Sequence, residues 1–254
     1  MLIKVKGLVI KAANVGENDK YLTILTEEYG KIMFRASSVR NFKNKHLTVT
    51  QLFSYSEFTL LKMPTFTRMN EAQLIENFYN IRLNLNSLAL ATYIADVASI
   101  MCVEGRDEDG ILSLILNTLY VISREKMPNK IIKGVFEMRI LSKTGFMPNF
   151  EGCEICQKYD LSKIFFFNII GGNLICEDCL DKIVNLNVNQ QLIKISSDVL
   201  QAVKFVAFAE DERLYSFVLH EDMADEFANL CERYLLAQIS ANISSLKFYK
   251  ECAN

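Results

Sequence analysis

Tyr21-Leu-Thr-Ile-Leu-Thr-Glu-Glu-Tyr-Gly-Lys-Ile-Met-Phe-Arg-Ala36 is the stretch that decides the fold of the amino-terminal part. Its first residues, up to Thr26, are rich in β-forming types, and Glu27–Gly30 supplies a turn that ends in glycine. In the segment after this turn, Ile32 and Phe34 share one face of a strand, because side chains alternate between the two faces. The stretch therefore predicts two strands joined by a turn.

Further strands are predicted on either side of this pair. Alternating apolar residues follow Leu2, and Gln51–Lys62 and Phe66–Leu74 are two more β-rich runs, which makes five short strands in about 75 residues. A lone open sheet of this size would leave its edges exposed to solvent. We therefore predict a small closed barrel of five strands.

Beyond Phe78 the spacing of apolar residues becomes helical. Helices are predicted over Ile81–Cys102 and Leu112–Arg124, from Pro128 to the stop signal at Gly145, from about Ser197, and over Met223–Leu246. The fold class is thus α+β with several domains. The predicted boundaries are 1–78 for the barrel, 79–149 and 183–254 for the two parts of a helical domain, and 150–182 for an inserted cysteine module.

Four of the seven cysteines form two Cys-x-x-Cys pairs, Cys153/Cys156 and Cys176/Cys179, with 19 residues between the pairs. Two such turns can complete a tetrahedral site of four thiolates, which is typical of a structural zinc ribbon. Full cysteine coordination leaves no open position, so we expect one structural Zn²⁺ ion. A redox role is the alternative, but no thioredoxin-like βαβ unit accompanies the pairs. The other three cysteines, Cys102, Cys231 and Cys252, are scattered, and we expect Cys102 and Cys231 to be buried free thiols.

Charge is unevenly distributed along the chain. The formal net charge is −2, but residues 1–80 contain 11 Lys and Arg against 7 Asp and Glu. This asymmetry favours a polyanionic partner for the amino-terminal part alone. The longest uncharged run, Gly110–Ser123, has 14 residues and is too short to span a bilayer, and the amino terminus does not resemble a signal peptide. We therefore expect a cytoplasmic protein.

A basic segment indicates where such a partner could bind. Between Gly30 and Ser56 there are five cationic residues and no Asp or Glu. The predicted phosphate ligands are Lys31, Arg35, Arg40, Lys43 and Lys45, and Phe42 offers an aromatic ring for base stacking. An ordinary solvated loop would have a similar composition. The predicted barrel favours nucleic acid, because barrels of this type bind oligonucleotides with loops and one strand face.

The sequence contains no motif that is typical of an enzyme active site. The two histidines, His46 and His220, are isolated, and the chain contains no His-Glu-x-x-His, Gly-x-Ser-x-Gly or Gly-x-Gly-x-x-Gly sequence. We therefore expect no catalytic residues and no enzymatic activity. The rival interpretation is a redox or hydrolytic enzyme, for which turnover dependent on His220 would be evidence.

Several segments taken together resemble the RecO family of bacterial recombination mediators. They are Gly7-Leu-Val-Ile-Lys11, Gly16-Glu-Asn-Asp-Lys-Tyr-Leu-Thr23, Tyr29-Gly-Lys31, Gln51-Leu-Phe-Ser-Tyr55, Phe136-Glu-Met-Arg-Ile-Leu141, Gly145-Phe-Met-Pro148 and Gly171-Gly172 before Cys176-Glu-Asp-Cys179. Tyr234-Leu235 and Ser245-Leu-Lys-Phe248 resemble the family's carboxyl end. One departure concerns the first cysteine pair, which is often followed by glycine in the family but here by Gln157.

The resemblance implies an OB-fold barrel, a helical domain and a zinc module. It also implies binding of single- and double-stranded DNA, annealing of complementary strands, and assistance in loading RecA onto single strands coated by SSB, within the RecF pathway. RecR would be the working partner, and the acidic carboxyl-terminal tail of SSB would dock on the helical part. The implied location is the cytoplasm, in association with the bacterial nucleoid. A zinc-stabilised protein-interaction scaffold without nucleic-acid binding is the alternative function.

Overall fold

Five strands near the amino terminus close into a barrel in the computed structural model, which describes residues 1–41, 43–102, 110–160, 164–182, 192–239 and 241–253. The strands are β1 (Leu2–Val15), β2 (Asp19–Thr26), β3 (Gly30–Ala36), β4 (Tyr55–Lys62) and β5 (Thr67–Glu76). Their order around the barrel is β1-β2-β3-β5-β4. β1 pairs antiparallel with β4 to close the barrel, and β3 meets β5 in parallel through Arg35 and Arg68.

This strand order is that of an OB-fold, as the resemblance implied. Alternate residues of the strands fill the interior, among them Leu22 and Ile24 of β2 and Phe34 of β3, all with exposures of 1% or less. The rings of Phe34 and Phe58 lie 5.4 Å apart at their centroids. The side chains that alternate with these form the outer surface of the barrel.

The fourth strand begins later than the sequence predicted. β4 starts at Tyr55 rather than Gln51, because Phe53 takes a left-handed backbone conformation with φ = 64°. The N–H of Phe53 donates to the carbonyl of Val9, and the N–H of Val9 donates to the carbonyl of Ser54. Phe53 is buried, so it belongs to the core and offers no ring to a ligand.

Contacts divide the chain into two compact units. The first comprises Met1–Lys126 with Ile243–Asn254, and the second comprises Met127–Asn242. These units follow packing, whereas the predicted domain boundaries follow changes in sequence period, and those boundaries remain predictions. In the first unit, α1 (Leu85–Met101) packs against α2 (Ile111–Arg124) and α6 (Ser244–Ala253). The side chain of Asn84 caps α1 by accepting from two backbone N–H groups.

The second unit combines three helices with a small sheet. α3 (Asn129–Lys143) packs against α4 (Ser197–Phe208) and α5 (Glu221–Gln238). The strands are β6 (Asn149–Cys153), β7 (Phe165–Asn168), β8 (Asn173–Cys176) and β9 (Leu192–Ile195), in the order β6-β8-β7-β9. β7 and β8 form a hairpin whose turn contains Gly171-Gly172, and β6 runs parallel to β8.

The single helical stretch predicted over Met223–Leu246 is wrong. α5 ends at Gln238, where Ile239 turns to an extended conformation, and α6 begins at Ser244. The five residues between them, 239–243, include one serine and one asparagine, residue types whose side chains compete for backbone hydrogen bonds inside a helix. Ile239 and Ile243 are still buried. None of the helices within the described residues is long and apolar enough to cross a membrane.

Candidate metal centre and nucleic-acid interface

The two cysteine pairs meet at one edge of the small sheet. Cys153 ends β6 and Cys176 ends β8, and parallel neighbouring strands end at the same edge. Cys156 follows in the turn after β6, and Cys179 lies in a 3-10 helix over Glu177–Lys182 after β8. The chain topology therefore brings both pairs to a single point.

The sulfur atoms have the spacing of a metal site. All four Sγ atoms lie within 4.8 Å of one another, and those of Cys156 and Cys176 are 3.7 Å apart. Four sulfurs placed about 2.3 Å from a tetrahedral zinc ion would be about 3.8 Å apart. Cys153, Cys176 and Cys179 are buried and Cys156 is half-buried. The donor set therefore fits a four-coordinate ion with little movement of the side chains.

The thiols differ strongly in acidity. Burial disfavours a thiolate at Cys153, but hydrogen bonds from the backbone N–H groups of Cys176, Cys156 and Ile155 outweigh it and lower the pKa of Cys153 to about 6. Burial, together with the hydrogen bonds of neighbouring thiols, raises the pKa of Cys176 to about 12. One negative charge is thus accommodated by the protein alone. Full ionisation requires a cation at the centre of the cluster, and soft thiolates select metals such as zinc.

Gln157 follows the first cysteine pair, at the position where the resemblance leads us to expect glycine. Gln157 has φ = 59°, a left-handed conformation that favours glycine. Its N–H donates to the carbonyl of Cys153 at 2.8 Å, and the N–H of Cys153 donates to the carbonyl of Lys158 at 3.0 Å. The side chain of Gln157 compensates partly by donating to the carbonyl of Glu154. This chain forms the same type of turn at the cost of some backbone strain.

The basic residues predicted from the sequence do not form one patch. Lys31 is at the start of β3, and its ammonium donates to the carbonyl of Ser99 in α1 at 2.9 Å, away from Arg35 at the other end of the strand. Lys45 pairs with Glu71 at 3.4 Å, and Lys43 is exposed. Phe42, the predicted stacking residue, lies outside the described residues.

Arg35 and Arg40 flank the turn between β1 and β2. Arg35 forms an ion pair with Asp19 at 2.6 Å, and Arg40 donates to the carbonyl of Gly16 at 3.1 Å. The backbone N–H of Ser38 and the guanidinium of Arg35 hold the pKa of Asp19 below its usual value. Asp19 therefore remains charged at neutral pH and neutralises Arg35.

An open cavity on the outer face of the barrel was not predicted. It has a volume of about 550 Å³ and lies where β2 and β3 face the loop between β4 and β5. We call it the β2–β3 groove, and its lining residues are Tyr21, Met33, Phe34 and Lys62 through Thr67. Tyr21 is 41% exposed, Met33 56% and Phe66 48%, which is unusual for side chains of this size.

The composition and position of the β2–β3 groove suit a nucleic acid. Exposed aromatic rings can stack on bases, while Lys62 is one of the lining residues and Arg35 is the register partner of Tyr21 on β3. OB-folds bind oligonucleotides on the face formed by strands two and three, with the loops next to it. Sequence spacing could not reveal this site, because Tyr21 and Phe66 are distant in the chain and only barrel closure brings them together.

Protein-family models match both the part of the chain that contains the β2–β3 groove and the part that contains the cysteine cluster. The model described as Recombination protein O N terminal matches residues 1–78, and the model described as Recombination protein O C terminal matches residues 82–247. The chain belongs to the RecO family. The two matches cover the barrel, helices α1 to α5 and all four paired cysteines, so membership in the RecO family concerns both the barrel and the cysteine cluster.

Individual relatives support the same assignment. A DNA repair protein RecO from Acetivibrio thermocellus is 31% identical over 249 residues, which cover 98% of this chain and 96% of that protein. The DNA repair protein RecO of Caldicellulosiruptor saccharolyticus is 30% identical over 249 residues, with 98% of both chains covered. A relative from Caldicellulosiruptor bescii is 28% identical over 250 residues. The RecO family assignment therefore places the chain among DNA repair proteins.

Proposed function

We propose that this member of the RecO family is a recombination mediator that binds single- and double-stranded DNA through its barrel and anneals complementary strands. The single observation that supports this proposal most is the β2–β3 groove, which offers Tyr21 and Phe66 at the ligand-binding face of an OB-fold. Stacking on an aromatic ring contributes about 1–3 kcal/mol per base and tolerates any sequence. That tolerance is what a mediator acting on arbitrary DNA needs.

Phosphate binding would supply the annealing activity. Two complementary strands repel each other through their phosphates, and cationic side chains that neutralise both strands lower this repulsion. Arg40 donates only to a neutral carbonyl of the turn between β1 and β2, and Lys43 is exposed, whereas Arg35 and Lys45 already have carboxylate partners. We propose that Arg40 and Lys43 contribute most of the phosphate binding among the residues predicted from the sequence.

We propose that Cys153, Cys156, Cys176 and Cys179 hold one structural Zn²⁺ ion. When bound, the ion supplies charge compensation and cross-linking, and not catalysis, because four thiolates leave it no open position. The protein then works by binding, without a catalytic residue. In the second unit, the bound ion would stabilise the small sheet, whose strands β6 and β8 end at Cys153 and Cys176.

The proposed partners are those that the resemblance to the RecO family implies. We propose that the chain acts in the cytoplasm, at the nucleoid, with RecR, and that it assists loading of RecA onto SSB-coated single strands in the RecF pathway. The SSB tail would dock on the helical part of the protein.

Double substitution of Tyr21 and Phe66 by alanine tests the proposal. We expect the affinity for a single-stranded oligonucleotide, measured by fluorescence anisotropy, to fall about 30-fold or more, because two rings that contribute about 1–3 kcal/mol each are removed. Tyr29→Ala is the matched control, since Tyr29 is also 41% exposed but lies in the turn between β2 and β3, outside the groove. Equal affinities for the double variant, the control and the wild-type protein would remove the groove from DNA binding. Absence of binding by the wild-type protein, even at low salt, would instead favour the zinc-stabilised scaffold.

A further inference from the structure

Two methionines with unusually exposed side chains line the β2–β3 groove. Met33 of β3 is 56% exposed, and Met63, which follows β4, is 39% exposed. Methionine is more often found in the core, where Met138 of α3 lies with no exposed surface. A thioether that solvent reaches can be oxidised to a sulfoxide, whereas a buried one is protected. The groove therefore presents two oxidisable side chains to solvent.

Met33 lies beside Tyr21 on the outer face of the barrel. In the ladder between β2 and β3, Tyr21 is the partner of Arg35, and Thr23 is the partner of Met33. Met33 is therefore a diagonal neighbour of Tyr21 on the same face, because residues two apart on a strand share a face. Diagonal neighbours are about 7–8 Å apart, a distance that aromatic and long side chains can bridge. A base stacked on Tyr21 would therefore meet Met33 as well.

Met63 lies beside Phe66, the second ring of the groove. The backbone N–H of Met63 donates to the carbonyl of Phe66 at 2.9 Å, which closes the loop between β4 and β5. Both residues line the groove. Each ring that we propose to stack on bases thus has a methionine next to it. Thioethers make favourable contacts with aromatic rings, so the two methionines extend the surface on which a base can pack.

We propose that Met33 and Met63 form a modification site at which oxidation by hydrogen peroxide weakens DNA binding. The sulfur of each thioether attacks one peroxide oxygen, so that an S–O bond forms as the O–O bond breaks, and the products are a sulfoxide and water. Sulfur loses the two electrons that the peroxide gains. The sulfoxide is polar, and it replaces an apolar side chain beside each stacking ring. The inference rests on the proposed function and adds reversible regulation to it, because methionine sulfoxide reductases restore the thioether.

Oxidation and DNA binding are measured on the same sample of the full chain. The protein is treated with hydrogen peroxide, the peroxide is removed, and peptide mass mapping gives the oxidised fraction of each methionine. We expect Met33 and Met63 to be oxidised together with the exposed Met147, and the buried Met138 to remain unmodified. Anisotropy of a labelled thymidine oligonucleotide then gives the affinity. We expect the affinity to fall about 3-fold or more, because polar sulfoxides replace two apolar packing surfaces.

Peroxide also reacts with cysteines and with other methionines, and two variants separate these effects. Met33→Leu/Met63→Leu keeps apolar side chains of similar volume that peroxide does not oxidise, so its affinity after treatment should equal its affinity before treatment. Met147→Leu removes a methionine that is 41% exposed but lies outside the groove, and it should respond to peroxide as the wild-type protein does. Dithiothreitol alone reduces disulfides and should not restore binding by the oxidised wild-type protein. Dithiothreitol together with both classes of methionine sulfoxide reductase should restore it.

Failure of the modification site and failure of the proposed function give different results. If the untreated protein binds the oligonucleotide and oxidation of Met33 and Met63 leaves its affinity unchanged, the inference is wrong and the proposed DNA binding stands. The same conclusion follows if both methionines stay unmodified while Met147 is oxidised. A loss of affinity in the double leucine variant, or recovery with dithiothreitol alone, would assign the effect to other residues and also overturn the inference. If the untreated protein binds no oligonucleotide, even at low salt, the proposed function fails and the inference fails with it.

Discussion

The cysteine cluster and the β2–β3 groove use side chains in opposite ways. The cluster gathers four residues of one type within 4.8 Å, three of them buried, at the end of two parallel strands. The groove spreads aromatic, thioether and charged side chains over an open face of the barrel. A closed and largely buried donor set suits an ion that stays with the protein. An open face with exposed rings suits a ligand that binds and leaves.

The difference extends to electrostatics. In the cluster, the thiols cannot all ionise without a cation, so ligand and fold depend on each other. Around the barrel, Arg35 and Lys45 are already neutralised by carboxylates of the protein itself, and the fold does not require the ligand. We therefore expect ligand removal to unfold the cysteine region and to leave the barrel intact.

Cys176→Ser should produce the largest effect. We expect the protein to lose its bound metal and the second unit, Met127–Asn242, to lose cooperative unfolding, because structural zinc sites contribute on the order of 10 kcal/mol of apparent binding free energy in small domains. Metal content by mass spectrometry and limited proteolysis check this expectation. Cys252→Ser is the control, since Cys252 lies in α6 and outside the cluster. Stoichiometric metal and unchanged proteolysis in Cys176→Ser would contradict the contrast between the two sites.

Simultaneous alanine substitution of Arg40, Lys43 and Lys45 should slow the annealing of complementary oligonucleotides. In a plot of the logarithm of the DNA affinity against the logarithm of the salt concentration, we expect the slope to become shallower by about 1.4. This change corresponds to the loss of two phosphate contacts with a single strand. Lys45→Ala alone should have little effect, because Glu71 already neutralises Lys45. Annealing at the wild-type rate in the triple variant would remove this loop from the mechanism.

Gln157→Gly should stabilise the second unit by about 1 kcal/mol or less. The glycine relieves a left-handed backbone conformation, although it also removes the hydrogen bond from Gln157 to Glu154. Thermal unfolding of the metal-loaded protein measures the change. Gly145→Ala is a control in the opposite direction and should destabilise the second unit. Gly145 has φ = 90°, and an added methyl group meets no atom within 4 Å, so the substitution introduces only backbone strain. A loss of stability in Gln157→Gly would show that the side chain, and not the backbone, determines this turn.

Asp19→Asn should have the smallest of these effects, and it should raise the affinity for DNA rather than lower it. The substitution releases Arg35 from its ion pair and removes a negative charge beside the groove, so we expect DNA binding to tighten a few-fold at low salt. The gain should disappear at high salt, because exposed charges are screened. An affinity that is unchanged at low salt would place the bound strand away from this end of β2.

Sequence patterns were most informative where one residue type determines the structure. The spacing of the cysteine pairs predicted a single cluster, and the structure brings the four sulfur atoms together. The alternation of apolar residues predicted five strands, and the closed barrel is confirmed. Both inferences depend on local spacing, which a chain reveals without tertiary contacts.

Sequence patterns did not predict the features that depend on tertiary contacts. The positive charge of Arg35 and Lys45 is visible in the sequence, but their carboxylate partners, Asp19 and Glu71, are not. Tyr21 and Phe66 look like ordinary strand residues until the barrel closes and places them on one groove. The late start of β4 follows from the left-handed Phe53, which no local signal predicts.

Binding of a labelled single-stranded oligonucleotide to the wild-type protein, followed by anisotropy at several salt concentrations, tests the central claim that the barrel is a DNA-binding surface. We predict saturable binding at low salt whose logarithm falls linearly with the logarithm of the salt concentration, at a slope of about 0.7 per phosphate contact. Absence of binding at low salt, or an affinity that salt does not change, would contradict the account.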